Sequence, residues 1–293
     1  MAIKLLLTGA GGQIGREIVE LAHPSLVFKV YGYTRQQLNI TCYDAIKRIV
    51  TEVKPDYIIN AAAFTAVDRA ETEQEAVFSV NATGVQYLSD IARQFDIPLL
   101  HISTDYVFDG GKKQPYVEED HPNPLSLYGQ SKLAGETFIR QSLPKHIILR
   151  VSWVFGRYGN NFVKTILRKI TEASELRVVC DQFGGPTYAA DVAKVLLNII
   201  CVLRQGSQAW GTYHYSGWPM TNWYQFAEQI VAIAKRSHPS ITSKLSPVLA
   251  SEYPMPASRP CYSCLLSSKI EQVFSLAPAC WQAGLTEVIK YLS

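Results

Sequence analysis

Tyr128 and Lys132 stand four residues apart in the run YGQSK. On a helix that spacing puts both side chains on one face. A cationic lysine beside a tyrosine favours the phenolate over the phenol and lowers the tyrosine pKa. Taking a phenol from its ordinary ~10 to neutrality needs a shift of about three units, or roughly 4 kcal/mol. A tyrosine so tuned can give a proton to a carbonyl oxygen while hydride attacks the carbonyl carbon. The spacing alone is unspecific, since Tyr43 and Lys47 share it on a predicted helix far from any strand end that completes a site. That pair reads as chance. Tyr128 and Lys132 differ because STDYVF, residues 103–108, precedes them. Ser103, Thr104 and Asp105 close a predicted strand, and open α/β sheets bind ligands at the carboxyl ends of their strands. There Thr104 can hydrogen-bond the same carbonyl oxygen and Asp105 can contact the substrate.

A second constellation supplies the partner for that chemistry. TGAGGQIG sets Gly9, Gly12 and Gly15 at G-x-x-G-x-x-G spacing, between a predicted strand and a predicted helix. Glycines there let the backbone turn tightly and approach a pyrophosphate, whose charge the helix N-terminus favours. About twenty residues later an acid would grip the ribose 2′-hydroxyl of NAD. The stretch VYGYTRQQLNI has no Asp or Glu, and its Thr34 and Arg35 suit a 2′-phosphate instead. The expected cofactor is NADPH, with NADH tolerated.

The elements that must position these residues follow from periodicity. IKLLLTG, LVFKVYGY, DYIINAAA, PLLHIST and HIILRVSWVF read as strands. GQIGREIVELA, CYDAIKRIVTEV, EQEAVFSVNATGVQYLSDIARQF and PLSLYGQSKLAGETFIRQSL read as helices between them. Strands apolar on both faces, alternating with helices, give a parallel sheet covered on both sides. The predicted fold is α/β, a Rossmann-type doubly wound parallel sheet with a smaller mixed α/β substrate-binding lobe. Residues 1–151 form the dinucleotide-binding domain in this reading. Residues 152–293 are mainly the lobe, with a stretch near 180–205 returning to the first domain. Beyond about residue 155, aromatic, glycine and proline residues become denser, around predicted helices at NNFVKTILRKITEA and NWYQFAEQIVAIAKR. A cleft between the two parts is where a ligand would sit.

Composition excludes several partners. The 293 residues are 47% hydrophobic and 18% charged, with a net charge of +3 and no basic block. Neither nucleic acid nor a membrane surface is indicated. No apolar run approaches the ~18 residues of a membrane span, and glycines cut the N-terminal run before a signal-peptide core forms. The expected location is the cytoplasm, which makes the N-x-T sequons at Asn39 and Asn81 coincidental. Cys261 and Cys264 form a lone C-x-x-C without further ligands of metal spacing, so no metal site is expected. His101, in an apolar strand, reads as a satisfied core histidine. Trp218, Trp223, Tyr224 and Phe226 read as the core of the lobe.

Taken together, TGAGGQIG, INAAAFTAVDRAE, STDYVF, YGQSKLAGE, RVSWVFG, GNNFVKT, DQFGGPT and ASRP resemble the extended short-chain dehydrogenases/reductases, nearly end to end. Within them the chain is similar to the dTDP-4-dehydrorhamnose reductase family. The resemblance implies a catalytic set of Thr104, Tyr128 and Lys132, with Tyr128 the general acid and Lys132 also on the nicotinamide ribose. Gly12, Gln13 and Ile14 would line the pyrophosphate. Ala62, Ala63 and Thr65 would flank the cofactor, and Asn39 belongs to the same implied set. Val67, Asp105 and Trp153 would shape a sugar pocket. Asn161, Gln182 and Arg259 would hold the dTDP part, Arg259 by its charge on the diphosphate. The implied reaction passes hydride from NADPH to C4 of a dTDP-linked 4-keto sugar. A homodimer is compatible with the resemblance. Some members are described as dimers bridged by a metal on several glutamates. Glu17 matches one such position, whereas Ala190 stands where another acid is expected, so no bridging metal is expected.

Two alternatives share the fold. A nucleotide-sugar dehydratase or epimerase would carry Asp-Glu at the strand end, where this chain has Asp105 and Tyr106. A regulatory subunit resembling that of methionine adenosyltransferase shares DYVFDG and Y-x-x-x-K. It departs at the sugar pocket, where this chain keeps Trp153 and GNNF.

Overall fold

The computed structural model describes residues 1–237 and 243–292. Its centre is built from short runs too apolar to leave exposed. The first strand, β1 (Ile3–Thr8), has Leu5, Leu6 and Leu7 wholly buried. A tight turn leads to α1 (Gln13–Ala22), then β2 (Phe28–Tyr33), α2 (Tyr43–Val53) and β3 (Tyr57–Asn60). Two short helices, α3 (Val67–Ala70) and α4 (Gln74–Phe78), lead through a π-helical turn, residues 79–83, into α5 (Gly84–Gln94). Next come β4 (Leu99–Thr104), α6 (Leu127–Ser142) and β5 (His146–Val151). The sheet is all parallel and its order is β2-β1-β3-β4-β5, extended by β10 (Gly211–Tyr215) beyond β5. The order reverses between β1 and β3, and the crevice at that reversal is where such sheets hold ligands.

The stretch expected as one strand over HIILRVSWVF breaks after Val151. Trp153 sits at φ 46°, a left-handed conformation that turns the chain out of the sheet. The chain then forms β6 (Val154–Phe155), α7 (Phe162–Glu172), β7 (Glu175–Val179), β8 (Phe183–Gly184) and β9 (Thr187–Tyr188). It returns to the sheet with α8 (Ala189–Arg204), ahead of β10. The lobe resumes with β11 (Thr221–Asn222), α9 (Trp223–Ser237) and β12 (Lys244–Val248), which pairs with β7. The described chain closes with α10 (Ser268–Phe274) and α11 (Trp281–Leu292).

Three apolar clusters hold this together. Ile18, Val192, Leu196 and Ile199, from α1 and α8, cover one sheet face, joined by Phe274. Ile46, Leu88, Ile91 and Ile139, from α2, α5 and α6, cover the other. Ile166, Phe226, Ile230 and Leu285 form the lobe core. Phe226 is thus core as expected. Trp218 is not: it is 57% exposed, although its backbone bonds to Trp281 of that cluster. Asn81, one of the two sequon positions, is fully buried in the π turn. Its side chain bonds Phe64 N at 2.8 Å, Phe64 O at 3.0 Å and Ser131 Oγ at 3.0 Å. It thereby ties the loop after β3 to α6, one wall of the crevice to another.

Candidate active site

A cavity of about 1390 Å³ lies between the carboxyl edge of the sheet and the lobe. Thr104, Asp105, Tyr128 and Lys132 line it. Their meeting has a local cause. Ser126 caps α6 by accepting from Gly129 N at 3.1 Å. A Cβ at Gly129 would lie 2.2 Å from Tyr106 O, so glycine lets α6 start directly against the turn that follows β4. Tyr128 then packs edge-on to Tyr106, with ring centroids 5.9 Å apart, and Thr104 is near enough to its phenol to oppose the effect of burial. Thr104 Oγ1 donates to Asp105 Oδ1 at 3.1 Å and accepts from Tyr106 N at 3.2 Å. Asp105 Oδ2 accepts from Ser263 Oγ at 2.6 Å and Ser152 Oγ at 3.0 Å.

Burial sets the electrostatics here. It pushes the Asp105 carboxyl up to about 6, against the pull of its hydroxyl donors. It pushes the Tyr128 phenol up to about 12, and the Asp105 charge adds to that. The depression of the phenol expected from the Tyr128 and Lys132 spacing is therefore absent in this arrangement. Lys132 is turned to β4 instead. Its Nζ donates to Ile102 O at 2.7 Å and lies 3.1 Å from His101 Nε2. Burial brings Lys132 down to about 8, with Glu136 opposing.

The second wall is the start of α1. Its first turn has no side-chain cap and no acid, which leaves its leading N–H groups open to an anion. Gly12, Gln13 and Ile14 line the cavity. Gly9 and Gly15 lie behind them and make the turn. Gly9 sits at φ 72°, and a Cβ on Gly15 would lie 2.2 Å from Gly9 O. This cradle, with Ala63 and Thr65 beside it, fits the pyrophosphate of a dinucleotide. Ala62 lies behind the wall and donates its N–H to Asn60 Oδ1 at 3.1 Å. Arg35 and Asn39 are not on the wall. Arg35 is exposed on the loop after β2. Asn39 Oδ1 accepts from Thr41 N at 3.1 Å and Thr41 Oγ1 at 3.0 Å, so it closes a turn.

The lobe supplies the third wall. Trp153 stacks flat on Trp223, with centroids 3.5 Å and planes 8° apart. Gly184 allows this, because a Cβ there would lie 2.3 Å from Trp153 Cε2. Val67, Gln182 and Arg259 also line the cavity. Arg259 pairs with Asp68 at 2.8 Å. Asn161 reaches the wall, but its amide is committed. It caps α7 through Lys164 N at 3.1 Å and donates to Gln13 Oε1 and Gly156 O, both at 2.9 Å. Its contribution is to fix Gln13 against the lobe.

Several wall residues carried no signal in the sequence. Lys169 and Arg177 add positive charge from α7 and β7, and Tyr253, Pro254 and Met255 close the far side. Trp223, read as lobe core, does pack against that core and in addition reaches the cavity beneath Trp153. Glu17 is fully buried, and Arg157 holds its carboxylate. That carboxylate is thus already neutralised and does not fit a bridging-metal site. Among the described residues no cluster of three or more His, Cys, Asp or Glu is arranged to hold a metal, and no helix is long and apolar enough to cross a membrane.

A parallel sheet with an anion cradle at its reversal, and a Thr, Tyr and Lys set at the next strand end, defines a Rossmann-type reductase. The chain belongs to the RmlD substrate binding domain family, which it matches over residues 3–293. A dTDP-4-dehydrorhamnose reductase of Aggregatibacter actinomycetemcomitans is 44% identical over 98% of this chain and 99% of its own length. The crystal structure of a dTDP-4-dehydrorhamnose reductase from Clostridium acetobutylicum superposes with a TM-score of 0.92, at 38% identity, covering 99% of both chains. That of the Bacillus anthracis enzyme, in complex with NADP, superposes at 0.91 with 34% identity, again over 99% of both. A dTDP-glucose 4,6-dehydratase from Bacillus anthracis reaches 0.79 at 19% identity, over 99% of this chain and 96% of its own, a likeness of fold alone.

Proposed function

We propose that this chain is an NADPH-dependent reductase that converts dTDP-4-dehydro-L-rhamnose to dTDP-L-rhamnose, the last step in making that nucleotide sugar. The observation that carries the reading is the meeting of Thr104, Tyr128 and Lys132 with the uncapped start of α1 in one cavity. Full-length similarity to reductases of this name supports it over the regulatory alternative.

NADPH, when bound, supplies the hydride. Gly12, Gln13 and Ile14 would hold its pyrophosphate, with Ala63 and Thr65 alongside. Tyr128 gives its proton to the sugar's C4 oxygen as the carbon accepts hydride. Thr104, released from Asp105, donates a second hydrogen bond to that oxygen. A phenol near 12 donates reluctantly, so Lys132 must turn from β4 to the cavity and bring its cation to the phenol. Val67, Asp105 and Trp153 on its Trp223 platform shape the sugar site. Arg259, Lys169 and Arg177 place positive charge for the diphosphate, and Gln182 borders the nucleotide. Dehydration is disfavoured, because Tyr106 replaces the second carboxylate and burial, with the Asp105 charge, pushes its phenol up. The work is done in the cytoplasm on a soluble dTDP-sugar.

Purified protein offered NADPH and dTDP-4-dehydro-L-rhamnose should oxidise the cofactor and yield dTDP-L-rhamnose, with dTDP-glucose inert. Oxidation independent of the keto sugar, or none with it, sinks the reading. Arg35→Ala should weaken NADPH about tenfold more than NADH, as expected for one charge-assisted bond to a 2′-phosphate. Equal losses would remove Arg35 from the cofactor set.

A further inference from the structure

The buried contact that hydride transfer leaves unexplained is the one between His101 and Lys132. Both side chains are buried, His101 completely. The protons along this contact can be assigned from its far end. Ala62 N–H donates to Asn60 Oδ1 at 3.1 Å, and a backbone N–H can only donate. Thr8 Oγ1 donates to the same oxygen at 2.6 Å. Asn60 Nδ2 therefore faces His101 Nδ1, at 3.0 Å, and has only hydrogens to offer. Nδ1 must take that bond through its lone pair. A neutral imidazole then carries its proton on Nε2, the atom 3.1 Å from Lys132 Nζ.

An ammonium has no lone pair, so a charged Lys132 would meet Nε2–H proton to proton. A neutral amine fits. It accepts from Nε2–H and still donates to Ile102 O at 2.7 Å. The surroundings offer little to hold a cation there. Glu136, one turn along α6, is already paired with Arg150 at 2.7 Å and Arg140 at 2.8 Å. Tyr128 faces the site from the cavity side, and β1 and β3 contribute the uncharged Thr8 and Asn60. Burial acts in the same direction: it lowers Lys132 to about 8, so that the amine is the main form above about that pH, and holds His101 well below its usual value, with the Lys132 charge adding to the latter.

We propose that His101 is a positioning residue that keeps Lys132 as a neutral amine against β4, and that the lysine takes up a proton when it leaves the imidazole for the cofactor's ribose. Above about pH 8 the cation that makes Tyr128 a better acid then arrives together with the cofactor, and a cavity without it holds no buried unpaired charge. The second half of this inference rests on the reductase reading. The imidazole tautomer does not.

Two measurements test it. In free wild-type protein at about pH 9 carrying 15N-histidine, His101, assigned by its loss in His101→Gln, should show a bare Nδ1 and a protonated Nε2. A ring protonated on Nδ1 overturns the proposal. Proton uptake on NADPH binding, by calorimetry in buffers of different ionisation enthalpy, reads the second half. It is measured on Tyr128→Phe, so the phenol contributes nothing. Uptake should approach one proton at about pH 9 and shrink towards pH 7 as the free lysine becomes protonated. No uptake at either pH, with NADPH bound, overturns the proton step alone. Failure to bind NADPH overturns the cofactor half together with the reductase reading.

Discussion

Two buried polar clusters sit one turn apart on α6 and are built on opposite terms. At Glu136 the buried carboxylate is fully paired. Arg150 grips its carboxylate twice, at 2.7 and 2.9 Å, and Arg140 adds a third bond at 2.8 Å. Arg150 in turn lies over the Phe108 ring, 5.1 Å from its centroid. At Lys132 the partners are a carbonyl and an imidazole, with no acid in contact. The first cluster pins α6 to β5 and has nothing to gain by moving. The second sits on the cavity wall and is satisfied only while the lysine stays uncharged. A complete polar network serves the fold, whereas an incomplete one beside a cavity marks where chemistry happens.

Breaking the incomplete side should affect turnover without touching the fold. Tyr128→Phe should lower kcat by about 10²–10⁴-fold, the usual contribution of a general acid, with NADPH affinity and Tm retained. Wild-type turnover in that variant would remove Tyr128 from its role. Breaking the complete side should do the reverse. Glu136→Gln strands Arg150, which is 2% exposed, and should cost about 3 kcal/mol or more in denaturant unfolding. The burial cost to Glu136 is outweighed by Arg150, which holds its carboxyl down to about 2. A pKa lowered on folding contributes stability above the unfolded value, lost as pH falls from about 4.5 towards 2. The deficit of Glu136→Gln should accordingly shrink as pH falls through that window, and a deficit independent of pH would show that the pair is not matched as described.

Asp105 lies between the two extremes, hydrogen-bonded but without a cation. Its carboxyl is raised to about 6, so the folded protein binds that proton more tightly than the unfolded chain. Ionisation then removes stability as pH rises from about 4 through about 6. Asp105→Asn should be more stable than wild type at pH 7, by roughly 2–3 kcal/mol at most, with the gain vanishing near pH 4. It should also lose activity. A gain over wild type no larger at pH 7 than at pH 4 would contradict the assignment. The smallest effect should come from Arg140→Ala. That side chain is 36% exposed, and its loss should cost under about 1 kcal/mol and leave kcat unchanged. A larger loss would mean that Arg150 alone does not satisfy Glu136.

The same contrast explains what was legible in the sequence. The glycine turn, the strand end at Thr104 and the Tyr128, Lys132 pair are short-range patterns, and each has one inexpensive structural solution. Apolar runs gave five of the six sheet strands for the same reason. β10 was missed because GTYHY is short and lies inside an aromatic-rich stretch. The third wall was legible only through resemblance, which named Val67, Trp153, Asn161, Gln182 and Arg259; no short-range pattern marks it, because it depends on long-range fit. Trp153 needs a left-handed backbone and a glycine 31 residues away to lie on Trp223. Lys169 and Arg177 look like solvated charges on ordinary periodic elements. Asn161 and Asn39 were seen as candidate ligand groups, while their amides serve a helix cap and a turn. His101 read as a satisfied core residue. It is satisfied, but only by a lysine in an unusual state.

The most direct test of the account follows the hydride itself. The protein would be given NADPH deuterated at the transferable nicotinamide position, with dTDP-4-dehydro-L-rhamnose, and the product read by NMR. The account predicts deuterium at C4 of the sugar in dTDP-L-rhamnose, formed by wild type and slowed in Tyr128→Phe. Deuterium at another carbon, or cofactor oxidation with none in the sugar, would contradict it.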